Sequence, residues 1–149
     1  PQADRVTVDL HATAAARLRD DAQRYTPRRR ALVELLAEVD QPLTIPQLLE
    51  RRAGLAQSSV YRNPAVLERA GVVHRILTAD DFARYELAED LTEHHHHLIC
   101  SSCGDVTDFT VPATVEHELE AALAKVASKA GFEVRHHRLD LVGTCPRCS

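Results

Sequence analysis

The stretch His94-His95-His96-His97-Leu98-Ile99-Cys100-Ser101-Ser102-Cys103-Gly104 runs four consecutive histidines into a Cys-x-x-Cys pair, and a second pair, Cys145-Pro146-Arg147-Cys148, stands near the end of the sequence. Two thiolates two residues apart reach one tetrahedral ion, and two such pairs complete a four-thiolate site. Cys100, Cys103, Cys145 and Cys148 are therefore expected to hold a structural zinc, closed because four thiolates leave no position for water. Two disulfides of a secreted domain are the competing reading. It fits paired Cys-x-x-Cys spacing less well, and nothing in the sequence resembles a secretion signal. The histidine run is internal and leads into structured sequence, unlike a purification tag. Its members lie too close to Cys100 to join the same ion and point to additional metal sites. If residues 94–100 are extended, His95 and His97 share one face and His94 and His96 the other, a geometry that makes two sites back to back.

The 149 residues suffice for one domain or two small ones. Three Tyr, three Phe and no Trp make for thin cores, which a stapling metal would support. No apolar run approaches the ~20 residues of a membrane span, and thiols poised for metal point to the reducing cytoplasm. The net charge of −4 is uneven: residues 1–86 hold 13 of the 18 basic and 12 of the 22 acidic side chains. Arg24, Arg28, Arg29 and Arg30 crowd one short segment, and a local basic face lets an acidic protein bind nucleic acid.

Residues 1–9 are polar and lack a period; Leu10 to Arg24 is helix-compatible. Thr26-Pro27 starts a second helix as cap and first-turn residue. Its apolar set, Ala31, Leu32, Leu35, Leu36 and Val39, forms one stripe that ends at Asp40-Gln41-Pro42. Thr44 caps a third helix ended by Gly54, and Ser58 or Ser59 caps a fourth that reaches Ala70 and stops at Gly71. Val72 to Leu77 and Ala83 to Leu87 read as a hairpin across an Asp-Asp turn. Three helices and a hairpin predict a winged helix-turn-helix whose last helix enters the major groove; a plain helical bundle is the bland alternative. Residues 88–93 read as a hinge. Then come a strand into Cys100, a strand Val106 to Val111, a helix from about Pro112 to Ala130 and a strand Glu133 to Val142. The fold class is α+β: a winged helix-turn-helix domain over 1–87, then a small α/β domain over 94–149.

The segments Ser58-Ser59-Val60-Tyr61-Arg62, Ala70-Gly71-Val72-Val73, Arg84-Tyr85-Glu86-Leu87, His94 to Gly104 and Gly143-Thr144-Cys145-x-x-Cys148 together resemble the Fur (ferric uptake regulator) family of metal-responsive repressors, over roughly residues 22–148. The resemblance implies a cytoplasmic homodimer whose C-terminal domain dimerises and which binds double-stranded operator DNA when a regulatory metal is loaded. It also implies that both histidine pairs are used. One regulatory centre would comprise His74, Glu86, His95 and His97: Glu86 matches a family ligand, and His74 stands where zinc-sensing relatives place one. Asp108 resembles a ligand position of peroxide-sensing relatives. The second centre would use His94, His96, Glu116 and His137. Glu120, one helical turn on, is the alternative to Glu116, and His117 and His136 are bystanders. DNA contacts would fall to Ser58, Ser59, Tyr61 and Arg62, with Arg28 and Arg29 on phosphates.

Two departures from the family pattern matter. Iron-type members carry a regulatory histidine near the turn between the second and third helices. Here that turn reads Asp40-Gln41-Pro42-Leu43, which favours zinc, a zinc-uptake-regulator-like reading, over iron or manganese. Pro64 replaces an apolar residue inside the recognition helix, at a cost of about 3 kcal/mol, which predicts a kink or a reset C-terminal part. The alternatives are an iron, manganese or peroxide sensor, a zinc hydrolase with Glu86 or Glu93 as base, or a metal-storage protein. The hydrolase lacks a His-Glu-x-x-His, and no small organic substrate is expected.

Overall fold

The computed structural model describes the backbone of residues 2–51, 57–78 and 82–149, and the side chains of 10–51, 61–78 and 82–149. Five α-helices and six strands occur among the described residues, in two separate three-stranded sheets.

Helix α1 spans Gln2–Asp20 and so takes in the polar start read as aperiodic. Among its described side chains Leu10, Ala14 and Leu18 form a buried stripe, one residue per turn on a single face. Helix α2 spans Pro27–Glu38. The Thr26 hydroxyl oxygen accepts from the Arg29 N–H at 3.2 Å, so the expected cap forms. Helix α3, Ile45–Arg51, opens on a reciprocal cap: the Gln47 N–H donates to Thr44 Oγ1 (3.3 Å) and the Thr44 N–H to Gln47 Oε1 (2.9 Å). The expected stop at Gly54 lies outside the described residues. Helix α4 spans Gln57–Arg69 and continues through Pro64, with Pro64 and Asn63 buried. Gly71 ends it in the left-handed region (φ +81°), and the Val72 N–H closes onto the Leu67 carbonyl at 2.9 Å.

Strands β2 (Val73–Leu77) and β3 (Ala83–Leu87) form the wing. A third strand went unpredicted: β1, Leu43–Thr44, pairs with β3, giving the order β1-β3-β2. Two residues are too short to show alternation, so no sequence period could reveal it. Leu18, Leu32, Leu43, Leu48, Leu67 and Val72 meet in one core beneath the wing.

The segment expected to be a plain hinge contains a 3-10 turn, Glu89–Leu91, and is anchored. Arg17 of α1 donates to the Gly71 carbonyl (2.7 Å) and pairs with Asp90. Beyond it, β4 (His96–Cys100) is the central strand of the second sheet. It lies antiparallel to β5 (Val106–Phe109) and parallel to β6 (Asp140–Gly143). Helix α5, Ala113–Ala130, ends on Gly131 (φ +74°). The last strand is shorter than the expected 133–142: residues 132–139 find no ladder partner among the described residues.

One expected DNA contact is corrected. Arg29 is turned inward and only 7% exposed. Its Nε donates to Asn63 Oδ1 (3.1 Å), and one guanidinium nitrogen donates to Gln23 Oε1 (3.2 Å) and the Arg24 carbonyl (2.7 Å). It clamps the start of α2 to the middle of α4 beside Pro64, where it cannot also neutralise a phosphate. Arg28, by contrast, is exposed. Arg29→Ala should lower the free energy of unfolding by about 2 kcal/mol, since it strips partners from a buried amide oxygen and a carbonyl. Denaturant titration checks this; a change within about 0.5 kcal/mol would mean the clamp carries no stability.

Candidate metal centres

Three groups of donor side chains converge, each with one donor atom per residue within 4.8 Å of the others: Cys100/Cys103/Cys145/Cys148, Glu86/His95/His97/Asp108 and His94/His96/Glu116/His137.

The thiol group closes β4 and β5 onto the end of β6. Cys103 and Cys145 sulfurs lie 3.8 Å apart, and the N–H groups of Cys103 (3.5 Å) and Cys145 (3.3 Å) both point at Cys100 Sγ. Those two backbone donors hold the Cys100 thiol down at about 6, while its neighbours push Cys148, hydrogen-bonded to Cys145, up to about 12. The first thiolate is thus prepared by the backbone. The cysteines are free thiols, and a four-sulfur set with one preformed thiolate fits a structural zinc.

The histidine run alternates as an extended chain must. His95 and His97 face the wing. Glu86, the fourth residue of β3, places Oε2 3.0 Å from both His95 Nε2 and His97 Nε2. Asp108, paired with His97 across β4 and β5, brings its oxygens to 3.9 Å from His95 Nε2 and 3.6 Å from His97 Nε2. Burial alone would raise the Glu86 carboxyl, but hydrogen bonds from His97 and His95 outweigh it and hold it below its ordinary range. Burial likewise opposes charge on His95 and His97. The Glu93 carbonyl and Glu86 at His95, and Glu86 at His97, overcome it and raise both imidazoles. At Asp108 burial outweighs the pull of the His95 and His97 charges and lifts the carboxyl to about 6.

His74 stands outside this group of four. It is paired across the wing with Glu86, and burial lowers its pKa. The sequence reading set His74 beside Glu86 and kept Asp108 in reserve; the geometry brings in Asp108 because β5 is the direct neighbour of β4. His74 Nε2 is nonetheless buried without a hydrogen-bond partner among the described residues, and it lines the same cleft of about 570 Å³ as Glu86, His95 and His97.

His94 and His96 face α5. Glu116, in the first turn of α5, lies 2.8 Å from His94 Nε2, 2.7 Å from His96 Nε2 and 2.8 Å from His137 Nε2. The hydrogen bond from His96 is the main cause of its lowered carboxyl pKa. Glu120, one turn on, is exposed, as are His117 and His136. Glu89 from the 3-10 turn touches His94 Nδ1, a contact the sequence did not signal. His137 Nε2 and Asp108 Oδ1 are buried close to opposite partners yet make no hydrogen bond among the described residues. Lone pairs aimed at a shared point rather than at hydrogens fit a cation in each histidine centre.

Tyr61 and Arg62 are exposed on α4, whereas the side chains of Ser58 and Ser59 lie outside the described residues. No described helix is long and apolar enough to cross a membrane.

Residues 21–142 match the ferric uptake regulator family. The peroxide operon regulator of Bacillus subtilis is 32% identical over 136 residues, covering 89% of this chain and 88% of that protein. The ferric uptake regulator of Helicobacter pylori, described as having three functional metal-binding sites, superposes with a TM-score of 0.70 at 23% identity over 95% of this chain and 93% of its own. That of Francisella tularensis with iron superposes at 0.61 with 25% identity, covering 83% and 92%.

Metal and protons compete for the same atoms. With His95 and His97 raised above the ordinary imidazole range and Asp108 near 6, a metal at the Glu86 centre would compete with protons for all three. Affinity should therefore fall as pH drops through the raised imidazole range towards about 6, where Asp108 takes up its proton, with protons released on binding. Competition titrations against a coloured chelator measure it, and a flat profile would exclude these imidazoles as ligands.

Proposed function

The chain belongs to the ferric uptake regulator family, and from that premise we propose that it is a repressor that binds operator DNA as a homodimer when the Glu86/His95/His97/Asp108 centre is loaded. Regulators of this family are metal-responsive, dimeric DNA-binding proteins and not enzymes. The observation that carries the reading is the origin of the ligands: Glu86 comes from the wing, His97 and Asp108 from the second sheet, and His95 from the residue just before β4.

The protein's own part follows from that division. Glu86 bridges two imidazoles across the junction, which ties the wing to β4. A divalent ion bound there supplies the charge that replaces the histidine protons and neutralises the two carboxylates. Holding the wing at one angle would hold the two α4 helices of a dimer at one separation, which half-site spacing demands. The hinge reinforces this: Glu89 contacts His94 of the second centre, and Asp90 holds Arg17 of α1.

Two imidazoles with two carboxylates form a set in which iron(II) and manganese(II) compete with zinc, and geometry and supply decide. Asp108 in the set, and the likeness to a peroxide regulator, support iron or manganese as the sensed metal. A zinc sensor is the second reading, favoured by the unpartnered His74 Nε2 beside Glu86. The Cys100/Cys103/Cys145/Cys148 group holds structural zinc in either case, and His94, His96, Glu116 and His137 form the second centre. Dimerisation is supported by α5, which buries no residue within the chain, and by exposed Val126, Phe132, Leu141 and Val142. Tyr61 and Arg62 would read base edges and Arg28 a phosphate.

Binding to genomic fragments, with the labile metal stripped and iron(II), manganese(II) or zinc returned singly, tests the proposal. Restoration by iron(II) or manganese(II) is expected, and restoration by zinc alone would move the assignment to the His74 reading. Absence of metal-dependent binding would overturn the repressor. Arg62→Ala should weaken operator binding roughly 10- to 100-fold at unchanged metal content. Glu86→Ala should abolish the metal response and leave the four-cysteine zinc in place.

A further inference from the structure

The outer side of His97 carries a contact that the four-donor set does not use. His97 is 5% exposed, and its Nε2 points at Glu86 and Asp108. Its other ring nitrogen, Nδ1, lies 3.3 Å from Asp140 Oδ1. Asp140 is the first residue of β6, set directly beside His97 by the parallel register of β4 and β6. Its second oxygen lies 3.8 Å from an Arg138 guanidinium nitrogen. The contact is held from both sides of the strand. The His97 N–H donates to the Leu139 carbonyl (3.2 Å), and three residues beyond Asp140 the Gly143 carbonyl accepts from the Ser101 N–H (2.8 Å). The chain then enters the thiol cluster, where the Cys145 N–H meets Cys100 Sγ.

We infer that Asp140 is a positioning residue of the regulatory centre: it accepts the Nδ1–H of His97, so that the lone pair of Nε2 is left free and aimed at the point shared by Glu86, His95 and Asp108. An imidazole has one proton and two nitrogens, and a carboxylate on one nitrogen decides which of them can act as ligand. Asp140 is not itself a ligand, because it sits on the nitrogen turned away from the donor set. The assignment rests on the proposal that this set binds metal, and it adds a residue from β6, a strand that supplies none of the four donors. It also gives the thiol cluster a second consequence: the strand that its cysteines anchor is the strand that orients His97.

Cobalt(II) titration tests this, followed by its visible ligand-field bands, in a His94→Ala/Glu116→Ala/His137→Ala background that leaves one donor of the second histidine centre and with the four-cysteine zinc retained. Asp140→Ala should weaken cobalt binding about 10- to 100-fold and shift the bands, with zinc content and thermal midpoint unchanged. Asp140→Asn keeps an oxygen that can accept from Nδ1–H and should recover much of the affinity. Arg138→Ala should bind as the parent does. An Asp140→Ala protein with parental affinity and spectrum would overturn the inference. So would loss of zinc from Asp140→Ala with no recovery in Asp140→Asn, since that pattern belongs to a strand that has come undone. If the parent itself binds no cobalt outside the thiol site, the regulatory centre fails and the inference falls with it.

Discussion

Glu86 sits between His95 and His97, 3.0 Å from each, where the wing meets the histidine run. A carboxylate removed from water is costly unless it is paired, and here both partners come from the other side of the junction. On the proposed reading, the angle between the two halves depends on what this carboxylate holds. Metal-free, it holds the two imidazoles by hydrogen bonds. Loaded, it would hold a cation together with them. The same three side chains can serve as a weak latch or a strong one, which is what a two-state element needs.

Strand β4 distributes this chemistry. Its side chains alternate, so four consecutive histidines become two pairs on opposite faces, one against the wing and one against α5. Each pair meets a carboxylate from another element, Glu86 on β3 and Glu116 at the start of α5. Beyond Ile99 the strand supplies Cys100 to the thiol cluster. One extended segment thus borders three donor groups, and anything that shifts its register disturbs them together. The parallel pairing with β6 fixes that register, which is why Asp140 and the terminal cysteines belong to the same mechanical unit.

The helical half shows how a local rule can be broken and absorbed. Pro64 removes a backbone donor inside α4, yet the helix runs on. The neighbouring Asn63 is buried against Arg29, which ties α4 to α2 at the point of weakness. The arginine that charge counting assigns to phosphate is used here as a brace. A run of Arg28, Arg29 and Arg30 cannot disclose which of the three turns inward, because that depends on where α4 lies.

Spacing and alternation within a short segment were enough to read the thiol pairs, the caps at Thr26 and Thr44, the stop at Gly71, the hairpin and the two faces of the histidine run. Each of these is a local property of backbone geometry. Tertiary structure alone decided the rest: Asp108 rather than His74 in the set of four, the two-residue β1, the inward Arg29, Glu89 against His94, Arg17 against the hinge, and Asp140 behind His97. Those outcomes turn on which strand lies beside β4 and which helix lies beside α2. Neighbours of that kind are set by closing long loops and burying shared surface, and no period in the sequence records them.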